Sequence, residues 1–283
     1  MLQSVEPYGV LITNGDNDTF PLWYLQEVEG IRRDVTVIVM SYFNTPWYVQ
    51  QLRDITRPCP RPDAAMEDPT RIICQRPFDP SKAPRIYGNP RPPTRPILDL
   101  TDVEIGQITN SSGILSTEGM VFEARGMTFQ LPPNQEIYPA HQFVTLMLKG
   151  AWGDRPIYFA ATTNTHLELG LVQQTTRQGL AYKLLGPQET AGMQPMPADP
   201  SVMQFTGGYY DMQRNVELME RVMMFRNMPE KAVWADDATR NIPMQYHYAY
   251  AAMATVADIQ QNRAAVERYT RRAEAFQELA QNR

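Results

Sequence analysis

The sequence is poor in the residue types on which metal sites and nucleophilic enzymes depend. Its 283 residues include two cysteines and three histidines, His141, His166 and His247, which are scattered along the chain. The cysteine spacing matches no zinc or CxxC pattern, so we predict no zinc site. The GxSxG nucleophile elbow and the glycine-rich phosphate loops of the Walker and Rossmann types are also missing. The chain therefore carries no complete catalytic constellation.

Positive charge and long apolar runs are scarce as well. The formal net charge is -5 and the isoelectric point is near 5.3, whereas nucleic-acid binding needs a basic stripe that offsets phosphate charge. We therefore expect no nucleic-acid partner. The longest apolar runs, such as Val35–Met40 and Phe143–Leu148, are far shorter than the ~20 residues that cross a bilayer, and the first seven residues do not form a signal peptide. We expect the chain itself to be soluble.

The first forty residues predict a βαβ unit. Val10–Ile12 is a short apolar run bounded by glycine and asparagine, which is typical of a buried strand. The polar residues Asn14–Thr19 predict a turn, with Thr19 as the N-cap of a helix over residues 20–31. The apolar run Asp34–Ser41 predicts a second strand, parallel to the first and covered on both faces.

The turn after the first strand holds the first candidate site. Open α/β sheets bind ligands at the carboxyl ends of their strands. Asp16, Asn17 and Asp18 place three oxygen-bearing side chains there, and Asp16 and Asp18 are the predicted ligands of a divalent cation such as Mg²⁺ or Ca²⁺. The same residues, with Thr19, also suit plain turn formation and helix capping, which is the commoner use of such residues.

Other candidate ligand-binding residues lie on the two predicted helices beside this turn. Trp23 and Glu27 belong to the first helix, and Trp47 and Tyr48 open a second helix that begins after Thr45. Aromatic rings at this position suit stacking on a sugar or closure of a pocket. The alternatives are core packing for the aromatic residues and a solvated helix face for Glu27.

The whole chain is predicted to be α/β, with a Rossmann-like sheet, helices on both faces, a β-rich insertion and a carboxyl-terminal helical segment. The α/β domain is assigned to residues 1–185, the linker to 186–208 and the helical segment to 209–283. Within the α/β domain we expect a proline-rich loop or lid over residues 57–96, and β structure over 97–131 that includes strands at 97–100 and 103–108 and a hairpin at 120–131. In the helical segment, residues 244–261 and 263–281 fit either one tetratricopeptide-like helix pair or a plain helical hairpin.

Cys59 and Cys74 bracket part of the proline-rich stretch. In an oxidising compartment they can pair, and a bridge that closes a loop of this size stabilises the fold by roughly 3 kcal/mol. In the cytosol they would be two unrelated thiols. The residues alone leave both alternatives open.

Four segments together resemble one family. The segments GDNDTFPLWYLQEVEGIRRDVTVIV, NTPWYVQQL, RPIYFA and GLAYKLL are similar to the soluble carboxyl-terminal part of a large family of bacterial multi-pass membrane proteins, long catalogued as a domain of unknown function. That family has a GT-C-type glycosyltransferase core and is related to a eukaryotic protein O-mannosyltransferase. The similarity extends over about residues 5–185, with looser helical similarity beyond residue 236.

The resemblance implies an upstream bundle of membrane helices that holds the catalytic acid and the site for the polyprenyl-linked sugar. No catalytic residue can be transferred to this chain. It implies that the chain is the extracytoplasmic, periplasmic domain, and that its partners are the membrane-embedded part of the same protein and an acceptor protein or glycan. A periplasmic location also favours a Cys59–Cys74 bridge.

Three functional hypotheses follow from these features. The first is an accessory or acceptor-binding domain of a membrane glycosyltransferase that uses a lipid-linked sugar and is not catalytic alone. The second is a stand-alone metal-dependent transferase or hydrolase, with Asp16 and Asp18 at the metal and Glu27 as a base. The third is a protein-interaction module, in which an exposed face carrying Tyr246, Tyr250 and Met253 would bind a partner.

Overall fold

The computed structural model describes residues 1–61, 64, 71–88, 90–225, 228, 234 and 237–281. The chain divides into two compact units. The N-terminal unit contains Leu2 and Ser4–Leu171, and the C-terminal unit contains Met1, Gln3 and Val172–Arg283. Helices and strands occur in both units, which confirms the predicted α/β class. The division at Leu171 falls before residue 185, the predicted end of the first domain.

The N-terminal unit is built from seven described strands and five described α-helices. The strands are β1 (Val10–Thr13), β2 (Thr36–Val39), β3 (Ile114–Ser116), β4 (Val121–Ala124), β5 (Met127–Gln130), β6 (Gln135–Ile137) and β7 (Ile157–Ala160). The helices are α1 (Asp16–Glu27), α2 (Pro46–Ile55), α3 (Asp102–Thr109), α4 (Pro139–Gly150) and α5 (Thr165–Glu168). Short 3₁₀ helices occur at Leu2–Ser4, Met40–Asn44 and Pro80–Lys82.

Three parallel strands in the order β7-β1-β2 form the centre of this unit. Val10 lies opposite Thr36 on one side and opposite Ile157 on the other. Every residue of the three strands is buried, which is why their sequences are apolar runs without alternation. The strand β2 ends the order, so no described strand pairs with its outer edge.

The first helix begins earlier than the sequence indicated. It starts at Asp16 with Gly15 as its N-cap, so the predicted turn over Asn14–Thr19 and the N-cap role of Thr19 are wrong. The Asp18 carboxylate accepts hydrogen bonds from the backbone N–H groups of Asn14 and Gly15, both at 2.9 Å. This reciprocal bond from the third helical residue caps the first turn without a side chain at the N-cap.

The predicted strand at residues 103–108 is also wrong, because the helix α3 occupies that position. The Thr101 hydroxyl accepts a bond from the Glu104 N–H at 3.3 Å, and the Glu104 carboxylate accepts one from the Thr101 N–H at 2.7 Å. This capping box starts a helix directly after Thr101. Only Ile105 of α3 is buried, and residues 97–100, all of them described, form no strand.

The hairpin at residues 120–131 is confirmed. Strands β4 and β5 pair antiparallel, with Phe122 opposite Phe129. Arg125 and Gly126 join them with φ values of 50° and 73°. Two positive φ angles in succession are what a two-residue type I′ turn requires, and glycine at the second position adopts one without strain.

The C-terminal unit has its own strands and helices. The strands are β8 (Thr175–Gln178), β9 (Ala181–Leu184), β10 (Gln194–Pro195) and β11 (Tyr209–Tyr210), in the order β10-β11-β8-β9. The helices are α6 (Pro200–Thr206), α7 (Met212–Glu217), α8 (Asp237–Arg240), α9 (Ile242–Ile259) and α10 (Arg263–Gln281), with a π-helical turn at Leu218–Val222. The strand β10 and the helix α6 fall within residues 186–208, and the assignment of that stretch as a linker stays a prediction.

The helices α9 and α10 form the predicted antiparallel pair. Tyr246, Tyr250 and Met253 of α9 are 9%, 1% and 0% exposed, and Phe276 of α10 stacks on Tyr246 and Tyr250 with ring centroids 5.1 and 5.8 Å apart. This face is buried rather than open, which counts against its use as a partner groove. A relation to tetratricopeptide repeats stays a prediction. Among the described helices, none is long and apolar enough to cross a membrane.

Candidate functional site

A cavity of about 380 Å³ lies beside the outer edge of β2 in the N-terminal unit. Its lining comes from α1, β2, the 3₁₀ helix Met40–Asn44 and α2. It also includes Ile72, Gln75 and Arg76 of the proline-rich residues 57–96, which are called the excursion below. The predicted candidates Trp23, Glu27, Trp47 and Tyr48 all line it. Their role in ligand binding stays a prediction, but the fold brings them to one place.

Aromatic rings form one wall of the cavity. Tyr42, Trp47 and Tyr48 contact one another edge to face or tilted, with ring centroids 5.5 to 6.1 Å apart. Pro46 occupies the first helical position of α2, where its missing N–H is not needed, and Trp47 and Tyr48 follow in the first turn. Tyr48 is buried, whereas Trp47 is 57% exposed. A large exposed indole beside a cavity is available to a ligand.

Another part of the lining forms a polar wall, which is held by two arginines. Arg76 donates to both carboxylate oxygens of Glu27, at 3.0 and 2.9 Å. Arg33 donates to the main-chain carbonyls of Gln26 and Glu27, at 2.7 and 2.9 Å. These carbonyls belong to the last turn of α1, so a guanidinium there also complements the helix dipole. Glu27 is therefore a fixed hydrogen-bond acceptor at the cavity.

Two side chains close parts of the β2 edge. The Gln26 Nε2 donates to the Val35 carbonyl at 2.7 Å and to the Arg32 carbonyl at 2.8 Å. The Val39 N–H donates to the Tyr48 hydroxyl at 3.1 Å. Burial raises the pKa of the Tyr48 phenol, so this hydroxyl stays neutral and does not act as a base at physiological pH.

The excursion is tied to the cavity by a disulfide and by one glutamine. Cys59 and Cys74 form a disulfide, with Cα atoms 5.1 Å apart. Of the two alternatives that the sequence left open, a bridge or two unrelated thiols, the structure has the bridge. The neighbouring Gln75 donates from its backbone N–H to the Arg57 carbonyl at 2.8 Å and from Nε2 to the Asp34 carbonyl at 2.9 Å. Of the predicted loop over residues 57–96, residues 62, 63, 65–70 and 89 lie outside the described part of the chain.

Loss of the disulfide is expected to destabilise the fold. The cysteines are 15 residues apart, and a bridge that closes a loop of this length stabilises by about 3 kcal/mol. The Cys59→Ser, Cys74→Ser double variant should therefore have a lower urea midpoint and a larger m-value, because the unfolded chain without the bridge is less compact and exposes more surface. The oxidised and reduced forms of the native chain provide the matched comparison. Equal midpoints for the two forms would contradict this expectation.

The first helical turn of α1, which carries Asp16, Asn17, Asp18 and Thr19, lies outside this cavity, because none of the described lining residues comes from it. Asp18 serves as the cap described above and also accepts a hydrogen bond from the Thr162 hydroxyl. Asp16 accepts a bond from the Tyr42 hydroxyl at 3.5 Å, and Asn17 is exposed.

Thr19 is buried, and its hydroxyl donates to Thr13 Oγ1, which in turn donates to the Ile38 carbonyl. Asp18 and Thr19 thus both have structural roles at this turn.

Metal binding at Asp16 and Asp18 stays a prediction. Two carboxylates alone are few for a divalent cation, which takes six or more oxygen ligands, some of them water. In the described part of the chain, no group of three or more His, Cys, Asp or Glu side chains is placed to hold a metal ion.

Three residues of the cavity, Arg33, Tyr42 and Arg76, were not among the candidates predicted from the sequence. Arg76 is 49 residues from its partner Glu27, and no local pattern predicts such a contact. Arg33 and Tyr42 could have been found from their position in the sequence. Arg33 directly precedes the predicted second strand, and Tyr42 directly follows it. Residues that flank a predicted strand are natural candidates for a site at its edge.

Comparison with known proteins relates the first part of the chain to a protein family model. A family model described as TMEM260-associated domain 2 matches residues 1–67. No curated protein and no solved structure matches the chain. The matched segment contains β1, α1, β2 and α2, which supply most of the cavity wall. This part of the chain is thus similar to a domain that is associated with TMEM260 proteins.

Proposed function

We propose that the chain is the extracytoplasmic accessory domain of a membrane glycosyltransferase that uses a lipid-linked sugar, and that its cavity binds the acceptor glycan. Its partner is the membrane-embedded part of the same protein, and it is not catalytic by itself. The observation that carries the proposal is the cavity, whose lining includes an exposed tryptophan and a carboxylate that is fixed by Arg76. The similarity of residues 1–67 to a TMEM260-associated domain supports the membrane-protein context.

The chemistry of the two walls suits a sugar. A pyranose has an apolar face of C–H groups and a rim of hydroxyls, so it pairs with an aromatic ring and with oriented polar side chains. Trp47 and Trp23 offer the rings, while Glu27 and Gln51 offer polar groups around them. A volume of about 380 Å³ falls at the lower end of the range for small-molecule sites, about 300–1,000 Å³.

Both cationic side chains of the described lining are already engaged, which favours a neutral ligand. Arg76 is paired with Glu27, and Arg33 is bonded to helix carbonyls. A phosphate group would have to share the two guanidinium groups with these partners. The acceptor sugar therefore suits this cavity better than the phosphorylated lipid carrier does, and the carrier belongs to the membrane part.

Trp47→Ala is expected to weaken sugar binding at least tenfold, because the exposed indole is the main stacking surface of the cavity. The measurement is calorimetric titration of the full chain with a panel of neutral methyl glycosides. Tyr24→Ala is the matched control: Tyr24 is 54% exposed on α1 and does not belong to the described lining, so its loss should leave the affinity unchanged.

Two results would overturn the proposal. One is the absence of binding for every glycoside tested with the native chain. The other is sugar transfer from a polyprenyl-linked donor to an acceptor by this chain alone, which would place the catalytic machinery within it.

A further inference from the structure

A row of exposed aromatic side chains runs along one face of α1. Phe20 and Tyr24 are four residues apart, so they lie on the same face of the helix, and they are 45% and 54% exposed. Asp16 lies four residues before Phe20 on that face, and Val28 lies four residues after Tyr24. Trp23 stacks on Phe20, with ring centroids 5.6 Å apart. The helix therefore presents large apolar side chains to solvent.

The same surface continues from α1 to the start of α2. The Tyr42 hydroxyl donates to the Asp16 carboxylate at 3.5 Å. The Tyr42 ring contacts the exposed indole of Trp47, with ring centroids 6.1 Å apart. We call the five rings together the aromatic face: Phe20, Trp23, Tyr24, Tyr42 and Trp47. Because Phe20 and Tyr24 do not belong to the described lining of the cavity, this face extends beyond the cavity.

The charged groups on this face are acidic. The segments that carry it, α1 and residues 40–50, contain no lysine or arginine. Asp16 and Glu29 lie at the start of α1 and just beyond its end, and neither belongs to an ion pair among the described residues. The two arginines nearby, Arg33 and Arg76, are bonded to α1 carbonyls and to Glu27 as described above. The face thus combines aromatic rings with carboxylates.

This combination is complementary to one kind of partner. Aromatic rings and carboxylates both attract a quaternary ammonium group, and a bilayer of phosphatidylcholine carries such groups at its outermost layer. Tryptophan and tyrosine are also the side chains that accumulate at the headgroup level of membranes, because each has an apolar body and a polar end. An anionic membrane surface would instead be repelled by the carboxylates.

We propose that the aromatic face binds a zwitterionic lipid surface, with the choline groups of the lipid against the rings and carboxylates. Binding also removes the exposed apolar surface of Phe20 and Tyr24 from water. Trp47 belongs to both the aromatic face and the cavity lining, so binding brings the cavity close to the membrane surface. This inference goes beyond the proposed function, because it concerns a surface that is active with or without a sugar in the cavity.

The experiment is co-sedimentation of the full chain with phosphatidylcholine vesicles. We expect the Phe20→Ser, Tyr24→Ser double variant to lower the partition coefficient at least fivefold relative to the native chain. The matched control is Ile114→Ser, Leu115→Ser. These two side chains of β3 are 50% and 59% exposed but do not belong to the aromatic face, so this variant should bind as the native chain does. Urea midpoints of both variants confirm that they are folded.

A second comparison tests the charge of the surface. Vesicles of equal parts phosphatidylcholine and phosphatidylglycerol should bind the native chain more weakly than phosphatidylcholine alone. Asp16→Asn, Glu29→Gln should increase binding to the mixed vesicles at least twofold, because it removes the two carboxylates of the face. Glu274→Gln, Glu278→Gln removes the same number of charges from exposed positions of α10 and should increase it less.

Three results would overturn the inference: no binding to phosphatidylcholine vesicles, an equal loss of binding in the Ile114, Leu115 control, or stronger binding to the mixed vesicles. A dimer of the native chain that the Phe20→Ser, Tyr24→Ser variant abolishes, with no effect on vesicle binding, would assign the face to a second copy instead. Because Phe20 and Tyr24 do not line the cavity, the same variant should keep its affinity for glycosides. Failure of the lipid proposal and failure of the sugar proposal are therefore measured separately.

Discussion

Arg32→Met is expected to lower the free energy of unfolding by about 3–5 kcal/mol, since it leaves a buried carboxylate without its cation. Arg32 and Asp34 are each 1% exposed and form a two-bond pair, with Nε–Oδ1 and Nη2–Oδ2 distances of 3.0 Å. The remaining guanidinium nitrogen of Arg32, Nη1, donates to the carbonyls of Leu2 and Val5 at 2.9 and 2.7 Å. Urea unfolding of the full chain measures the change.

Two further variants make this prediction specific. Arg33→Met changes the next residue in the same way, but its side chain is 34% exposed, and we expect a loss below about 1 kcal/mol. The double variant Arg32→Met, Asp34→Leu removes both charges, so it should lose less than the sum of the single variants. The positive φ of Arg32, 50°, affects arginine and methionine alike. A loss below about 1 kcal/mol for Arg32→Met would contradict the assignment of a buried ion pair.

Arg155→Met is expected to cause a loss of similar size, about 3–5 kcal/mol, by a different route. Arg155 is 1% exposed. It donates to the carbonyls of Thr56 and Arg95 at 2.6 and 3.0 Å and to the side-chain oxygen of Gln75. These acceptors lie at the start, the end and the middle of the proline-rich excursion. One guanidinium therefore holds the excursion against the parallel strands.

The measurement for Arg155→Met is again urea unfolding, combined with amide hydrogen exchange at Gln75. We expect faster exchange there, because that residue loses its anchor. Burial lowers the pKa of Arg155 to about 10, which still leaves the group protonated near neutral pH, so the loss should not vary with pH in that range. Arg95→Met is the control, because Arg95 is exposed and its side chain donates to the Gly150 carbonyl at the surface. Unchanged stability and exchange in Arg155→Met would contradict this role.

The parallel strands and the start of α2 could be read from the sequence because their signals are local. Val10–Ile12 and the run before Met40 are apolar throughout, and Pro46 after Thr45 starts a helix wherever it occurs in such a context. The start of α1 could not be read in the same way. Its cap is the carboxylate of Asp18 reaching back to Gly15, and glycine at an N-cap leaves no side-chain signal.

The misassigned α3 shows how two local signals compete. Val103 and Ile105 alternate with polar residues as in a strand, whereas Thr101 and Glu104 form a capping box. The cap decides the outcome because this segment buries only Ile105, so no sheet face has to be covered. Isolated apolar residues at the surface do not specify a strand.

The candidate cavity was predictable in part. Trp23, Glu27, Trp47 and Tyr48 were identified because they lie on the helices beside the strand ends, and all four line the cavity. The position of the cavity was not predictable, because part of its lining depends on contacts between residues far apart in the chain, such as the bond from Arg76 to Glu27. The candidate residues Asp16–Thr19 form the first helical turn of α1, beyond the carboxyl end of β1. The cavity lies instead at the lateral edge of β2.

The two side-chain bonds at the edge of β2 have a consequence for how related chains should vary. Both bonds are made to main-chain groups, the Val35 carbonyl and the Val39 N–H. Any residue except proline supplies an N–H, so valine at positions 35 and 39 can be exchanged for isoleucine or threonine without loss of either bond. The two side chains that make the bonds have no such freedom. Among homologues we therefore expect glutamine to be retained at position 26 and tyrosine at position 48, and proline to be absent at position 39.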